Sequence, residues 1–365
     1  MANPSNSMPT QQDMRVLMDL FSAGRMPEAE ALARRLVGKF PKFFFLPNLL
    51  GAILSTQGKT TQALESFRRA IALKPDFIEA HCNAGIALHA LGRHAEAITA
   101  FEAAITLKPD HTEARNNLGN ALQEVGRFDA ALQAFEEAAR LQPDYPPTHN
   151  NRGSVLQALG RHVEAIAHFR QALTLAPDYA QAHNNLGLSL AATGDVQAAI
   201  ASFREALVFA PDYAEAHGNL GNALLLAGQL AAAVASLRQA LAQRPEWAEL
   251  HNNLGNALLE LRQFDDAVAA YRAALALRPD YVEAHNNLGS SLKAQGLLDA
   301  ADAAYREALA LDPGFRLAAG NLGRVRLLQG RHADGLELLI THTGFVRFDA
   351  DTGVRLILEK ADAAD

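Results

Sequence analysis

The chain has 365 residues, a formal net charge of −7, 49% hydrophobic residues and a single cysteine. It carries no basic block, which argues against nucleic acid as the main partner, because phosphate binding needs a positive stripe. Cys82 alone excludes an internal disulfide framework. No apolar run approaches a membrane span, and the first residues lack the basic start and apolar run of a secretion signal. The expectation is a cytoplasmic protein with no membrane insertion.

Residues 1–9 are polar with two prolines and are expected to be disordered. Residues 10–43 read as a degenerate N-terminal capping helix pair. Met14, Val16, Leu17 and Leu20 mark its first helix, Gly24 ends it, and Ala29, Leu32 and Ala33 mark the second. From there a repeat takes over. Glycines 51, 85, 119, 153, 187, 221, 255, 289 and 323 stand 34 residues apart, as do prolines 41, 75, 109, 143, 177, 211, 245, 279 and 313. A fixed period with two locked markers is an internal repeat, and stacked repeats make an extended body without one central core.

Counting slots from Phe44, units begin at 44, 78, 112, 146, 180, 214, 248, 282 and 316, and the repeat region spans 44–342. Each unit predicts two helices. The first closes at a slot-fifteen glycine, which takes the left-handed conformation that ends a helix; Arg262 replaces it once, so that turn is expected to carry strain. The second helix ends before a Pro-Asp pair. Slot eight is glycine, slots twenty and twenty-seven are alanine, and slot twenty-four is aromatic except at Leu237. The small residues let helices approach and the aromatic fills the space between them. Arg152 stands at slot seven, where other units have leucine or alanine. It is expected to bend outward or pair with a carboxylate, making its unit a soft point. After Gly330 one more helix is expected, and β-prone runs around Asp349 to Gly353 read as a small hairpin within 343–365. That hairpin reads either as a cap or as the start of a further element.

On a wheel of about 100° per residue, slots four, seven, eight and eleven face inward, slots two, five, nine, twelve and thirteen face outward, and slot six lies on the flank. Slot six holds Asn83, Asn117, Asn151, Asn185, Asn219, Asn253, Asn287 and Asn321. Asparagine costs a few tenths of a kcal/mol or more against alanine in mid-helix, so its recurrence needs a reason. Its carboxamide both donates and accepts. A row of carboxamides either grips an extended peptide by its backbone or bonds between neighbouring helices. Slot nine adds Asn120, Asn222 and Asn256. Leu225, Leu226 and Leu259 form an apolar stretch suited either to side-chain selectivity or to packing against the adjacent helix. Slot four carries six histidines, but helices stacked about 8–10 Å apart do not bring their rings to one metal, so no metal site is expected. No phosphate loop, CxxC pair or Gly-x-Ser-x-Gly elbow is present. No cofactor and no catalytic residue is expected.

The glycine at slot eight, the alanines, the aromatic at slot twenty-four and the proline at slot thirty-two together resemble the tetratricopeptide repeat family, over about residues 10–342. The resemblance implies an all-α, right-handed superhelical solenoid of about ten helix pairs, with first helices lining a concave groove. The slot-six row is similar to the asparagine ladder in the repeats of O-linked N-acetylglucosamine transferases. That likeness implies that the eight asparagines hold a peptide. The expected function is a non-enzymatic interaction scaffold for a protein or extended peptide. The rival readings are a substrate-recruiting subunit for a glycosyltransferase or sulfotransferase on another chain, and a structural solenoid that associates into homo-oligomers.

Overall fold

The structure, a computed structural model, describes residues 8–343. They form twenty α-helices, with no strand among the described residues. The hairpin expected after residue 343 lies outside them. The chain divides into two compact units, residues 1–185 and 186–365.

The first unit opens with α1 (Gln11–Ser22) and α2 (Met26–Lys39). The pairs α3 (Phe45–Thr56) with α4 (Thr60–Leu73), and α5 (Ile78–Ala90) with α6 (His94–Leu107), follow. Next come α7 (Thr112–Glu124) with α8 (Phe128–Leu141), and α9 (Pro146–Ala158) with α10 (His162–Leu175). The division falls within α11 (Ala180–Ala192). The second unit then holds α12 (Val196–Phe209), α13 (Ala214–Leu226) with α14 (Leu230–Gln243), and α15 (Ala248–Glu260) with α16 (Phe264–Leu277). It closes with α17 (Val282–Ala294) and α18 (Leu298–Leu311), then α19 (Arg316–Leu328) and α20 (His332–Thr343). Within each unit a first helix packs on the second helix of its own pair and of the pair before it, as α5 does on α6 and α4, and α15 on α16 and α14. Successive first helices also touch, α3 on α5 on α7 on α9 in one unit and α13 on α15 on α17 on α19 in the other.

The close approach within a pair follows from one contact. A Cβ at Gly51 would stand 2.4 Å from the Phe67 ring, and a Cβ at Gly255 would stand 2.5 Å from Tyr271. The slot-twenty-four ring occupies the volume that any slot-eight side chain would need. Phe67, Phe101, Phe135, Phe169, Phe203, Tyr271 and Tyr305 are all fully buried. Each contributes roughly 1.5–3 kcal/mol by leaving water. Slot-fifteen glycines close the first helices at positive φ, between 69° and 86° in the repeats. Arg262 adopts φ 60°, the one positive φ at a non-glycine among the described residues.

Slot-four histidines tie consecutive units together. The Nε2 of His81, His149, His183, His217, His251 and His285 sits 2.7–2.9 Å from the carbonyl oxygen of the proline six residues earlier. A carbonyl only accepts, so Nε2 carries the proton and each ring's tautomer is set. Arg115, at the same slot, donates Nε and a terminal nitrogen to the Pro109 carbonyl.

Two positions depart from the repeat inside its packing. Asp302 occupies slot twenty-one, which is leucine, isoleucine or valine in the earlier units, and Arg326 occupies slot eleven, elsewhere leucine. Asp302 is buried and accepts from Arg306 at 2.7 Å and Arg326 at 3.2 Å, with Arg331 at 3.4 Å. Arg152 behaves otherwise, and the expectation that it turns outward or pairs with a carboxylate fails. It is half-buried, its Nε is buried without a partner, and it makes no ion pair among the described residues. His168 beside it also has a buried, unpartnered Nδ1, and its ring stacks near His149 at 6.5 Å. Burial, then the charges of Arg152 and His149, push the His168 pKa down to about 4.

Candidate functional site

The slot-six asparagines recur on the first helix of each pair from α5 to α19. Asn83, Asn117, Asn151, Asn185, Asn219, Asn253 and Asn287 are half-buried, and Asn321 is buried. Slot five, expected to point outward, does not. Asn48, Asn116, Asn150, Asn184, Asn252 and Asn286 are buried. The wheel considered each helix alone, whereas the first helix of the next pair comes to lie over slot five.

That burial links the two rows. A slot-six Nδ2 donates to the slot-five Oδ1 of the preceding first helix: Asn83 to Asn48 at 3.1 Å and Asn151 to Asn116 at 3.2 Å. The same bond joins Asn185 to Asn150 and Asn287 to Asn252 at 3.1 Å, and Asn321 to Asn286 at 3.0 Å. Within one helix the slot-five Nδ2 then donates to its slot-six neighbour, Asn150 to Asn151 at 3.2 Å, Asn252 to Asn253 at 3.4 Å and Asn286 to Asn287 at 3.2 Å. In the second unit these bonds run unbroken from Asn321 to Asn253 and on to Asn222 at 2.9 Å. Asn222 takes the place of a slot-five amide because Gly218 stands there. In the first unit the run breaks at Asn117, whose counterpart on the preceding helix is Cys82. That thiol is buried beside His111, and burial raises its pKa to about 11, so it stays a neutral thiol.

Each linked slot-six amide gives at least one N–H to a neighbour; Asn185 and Asn287 direct Nδ2 to two acceptors each, so what the linked amides keep in common is an oxygen lone pair. The orientation of each amide is fixed by the bonds it makes. Slot nine joins in: Asn256 accepts from Tyr271 Oη at 2.7 Å and from Asn287 at 3.0 Å, while Ser290 Oγ lies 3.0 Å from Tyr305 Oη. Asn120 and Asn222 are half-buried on the same face. The sequence reading saw slot twenty-four only as filler. The signal it passed over is that tyrosine replaces phenylalanine only in the two units where the hydroxyl reaches a slot-nine Asn256 or Ser290. Of the apolar stretch, Leu225 and Leu259 pack onto the core of the second unit, whereas Leu226 is 74% exposed. No group of three or more metal-capable side chains comes together among the described residues, and none of their helices is long and apolar enough to cross a membrane.

Tetratricopeptide repeat models match residues 51–92, 221–261 and 255–296, residues 76–144 and 145–210, and residues 282–315. Together they span well over half the chain. The protein belongs to the tetratricopeptide repeat family. Tetratricopeptide repeat helix pairs form a scaffold suited to protein–protein interaction. No curated protein matches the sequence. Among solved structures, the tetratricopeptide chain is similar to one in the APC/C hetero-tetramer Cut9–Hcn1, with TM-score 0.56 and 18% identity, covering 82% of this chain and 58% of that one. YrrB, described as a TPR protein with an unusual peptide-binding site, aligns with TM-score 0.48 and 21% identity over 51% of this chain and 96% of its own. MamA aligns with TM-score 0.40 and 23% identity over 44% of this chain and 94% of its own. At 18% identity the likeness to the Cut9–Hcn1 chain is one of fold.

Proposed function

We propose that this tetratricopeptide repeat protein is a non-enzymatic scaffold that holds an extended peptide, or an extended segment of a partner protein, along its first-helix face. The observation that carries the reading is the row of slot-six amides, six of them oriented by a bond to a neighbouring helix and left with an oxygen lone pair to offer. Such a row suits a peptide backbone, which offers a donor and an acceptor at every residue regardless of side chain. The resemblance of the row to the asparagine ladder of O-linked N-acetylglucosamine transferases supports the same reading. Exposed Leu226 adds an apolar contact for a ligand side chain.

The test is a triple substitution, Asn185→Ala, Asn219→Ala and Asn253→Ala, titrated with a peptide selected on the wild-type chain from a library of unstructured sequences. Each lost bond removes about 0.5–1.5 kcal/mol of binding, so affinity is expected to fall by tens-fold or more. The melting temperature is expected to shift as well, because Asn185 and Asn253 also bond to neighbouring helices. Affinity measured well below melting is therefore the deciding quantity. Unchanged affinity with a lowered melting temperature would leave the amides a structural role only and end the peptide reading.

A further inference from the structure

Slots two, six, nine, twelve and thirteen of the first helices are acidic, amide or apolar along almost the whole chain. In the repeats from 44 onward, lysine and arginine occur at these slots only at Lys293, slot twelve of α17, and Arg324, slot nine of α19. The two helices touch. Lys293 is half-buried and Arg324 exposed, and among the described residues neither makes an ion pair or a side-chain hydrogen bond. Asp302, on the intervening α18, is held by Arg306, Arg326 and Arg331.

We propose that Lys293 and Arg324 form a recognition site for an acidic side chain of the bound peptide, at the end of the amide row where Asn287 and Asn321 stand. The site rests on the peptide-binding reading and adds a side-chain preference to it. Two like charges without a counter-ion repel each other, and a carboxylate placed between them removes that repulsion while gaining two charge-assisted bonds. Burial of Lys293, then the charge of Arg324, lower the lysine pKa, which fits an ammonium held near a second cation. Arg324 is also close enough to Tyr305 to oppose the rise in that phenol's pKa, which burial carries to about 12. Tyr305 is fully buried with its Oη bonded to Ser290 Oγ, and Ser290 Oγ lies 3.1 Å from the Asn286 carbonyl, so the two cations are the groups left to meet a carboxylate. The rest of the chain disfavours an acidic ligand, since its net charge is −7. Any preference for acid must therefore be local.

The experiment uses the full chain with fluorescein-labelled hexaglutamate and hexaglutamine, read by anisotropy at low salt. The wild type is expected to bind hexaglutamate on the order of ten-fold tighter than hexaglutamine, a gap that shrinks as salt screens it. Lys293→Gln with Arg324→Gln is expected to abolish the gap while leaving hexaglutamine binding unchanged. Lys293→Arg with Arg324→Lys keeps both charges and is expected to keep the gap. Asn253→Ala with Asn287→Ala is expected to weaken both peptides alike. If hexaglutamine fails to bind while hexaglutamate binds and depends on the two cations, the acidic site stands and the amide reading fails. Equal binding of the two peptides by the wild type, no binding of either, or a preference that survives Lys293→Gln with Arg324→Gln would overturn the site.

Discussion

Arg152 in the first unit and Asp302 in the second both put a charge where sister repeats put an apolar side chain, with opposite results. At Asp302 the facing slot changed too. Arg326 replaces a leucine, and Arg306 and Arg331 complete the coordination of the carboxylate. At Arg152 the companion change is His168, at a slot that is alanine or serine in the other repeats, and it supplies no opposite charge. Two buried nitrogens are left without partners. A charge is tolerated inside the stack when its counter-charge arrives on the facing helix. At Arg152 the nearby carboxylate, Glu164, is bonded to Arg161 instead, and the repeat stores a local cost. Sister units serve as internal controls, because each shows what the same slots do when apolar.

The largest effect is expected at the compensated site. Asp302→Ala leaves Arg326 without its carboxylate and is expected to destabilise the last helices by about 3 kcal/mol. Asp302→Ile with Arg326→Leu restores the apolar pair of the sister units, where Val268 packs with Leu292 in one core cluster; it is expected to recover that loss or exceed it. In a repeat stack, stability is local, so amide hydrogen exchange in α18, α19 and α20 is the measurement. A double variant as unstable as the single one would refute the compensation argument.

The uncompensated site should respond the other way. Arg152→Leu with His168→Ala removes two buried unsatisfied nitrogens and is expected to stabilise α9 and α10 by roughly 1–3 kcal/mol, seen as slower exchange there. His168 also makes a pH signature. Its pKa is about 4 in the folded chain against 6.5 unfolded, so on acidification the unfolded chain takes up the proton first. Stability contributed by the neutral ring is complete above about 6.5, falls as pH drops towards 4, and levels off below. His168→Ala is expected to flatten that part of a melting-temperature profile. Arg152→Leu alone should make the fall smaller and end it at a higher pH, since it removes the second largest cause of the depression. A profile unchanged by His168→Ala would show that the ring is hydrated enough to titrate normally.

What the sequence made legible was whatever depends on one slot meeting one other slot in the same unit. Gly51 against Phe67, or Gly153 against Phe169, is readable because period and residue sizes agree in nearly every copy. The candidate face was only half legible. Slot six was picked out by its repetition, but the burial of slot five depends on the neighbouring first helix, which a single-helix wheel leaves out. The links from Asn321 through Asn286 to Asn253, their diversion to Asn222 where Gly218 stands and their interruption where Cys82 stands therefore required the packed structure. Lys293 and Arg324 were visible as letters. Attention to what recurs at slots nine and twelve passed over what occurs once.

The smallest expected effect tests whether the same logic of compensation extends to the backbone. Arg262 holds φ 60° where every sister turn has glycine. A non-glycine residue there costs on the order of 1 kcal/mol. Its guanidinium stands 5.9 Å from the Phe264 ring centre, a contact that returns about 0.5 kcal/mol at an exposed site. Arg262→Gly relieves the strain, loses the contact, and gives the unfolded chain more freedom. The three terms nearly cancel, so a gain of no more than about 0.5 kcal/mol is expected. Arg262→Ala separates them, because it keeps the strain and loses the contact, and it should fall below the wild type by about 0.5 kcal/mol. Hydrogen exchange at Leu261 to Gln263 and the start of α16 reads both variants. The order expected is glycine, then arginine, then alanine; alanine matching arginine would mean that the ring contact contributes nothing, and that this departure, like Arg152, stands uncompensated.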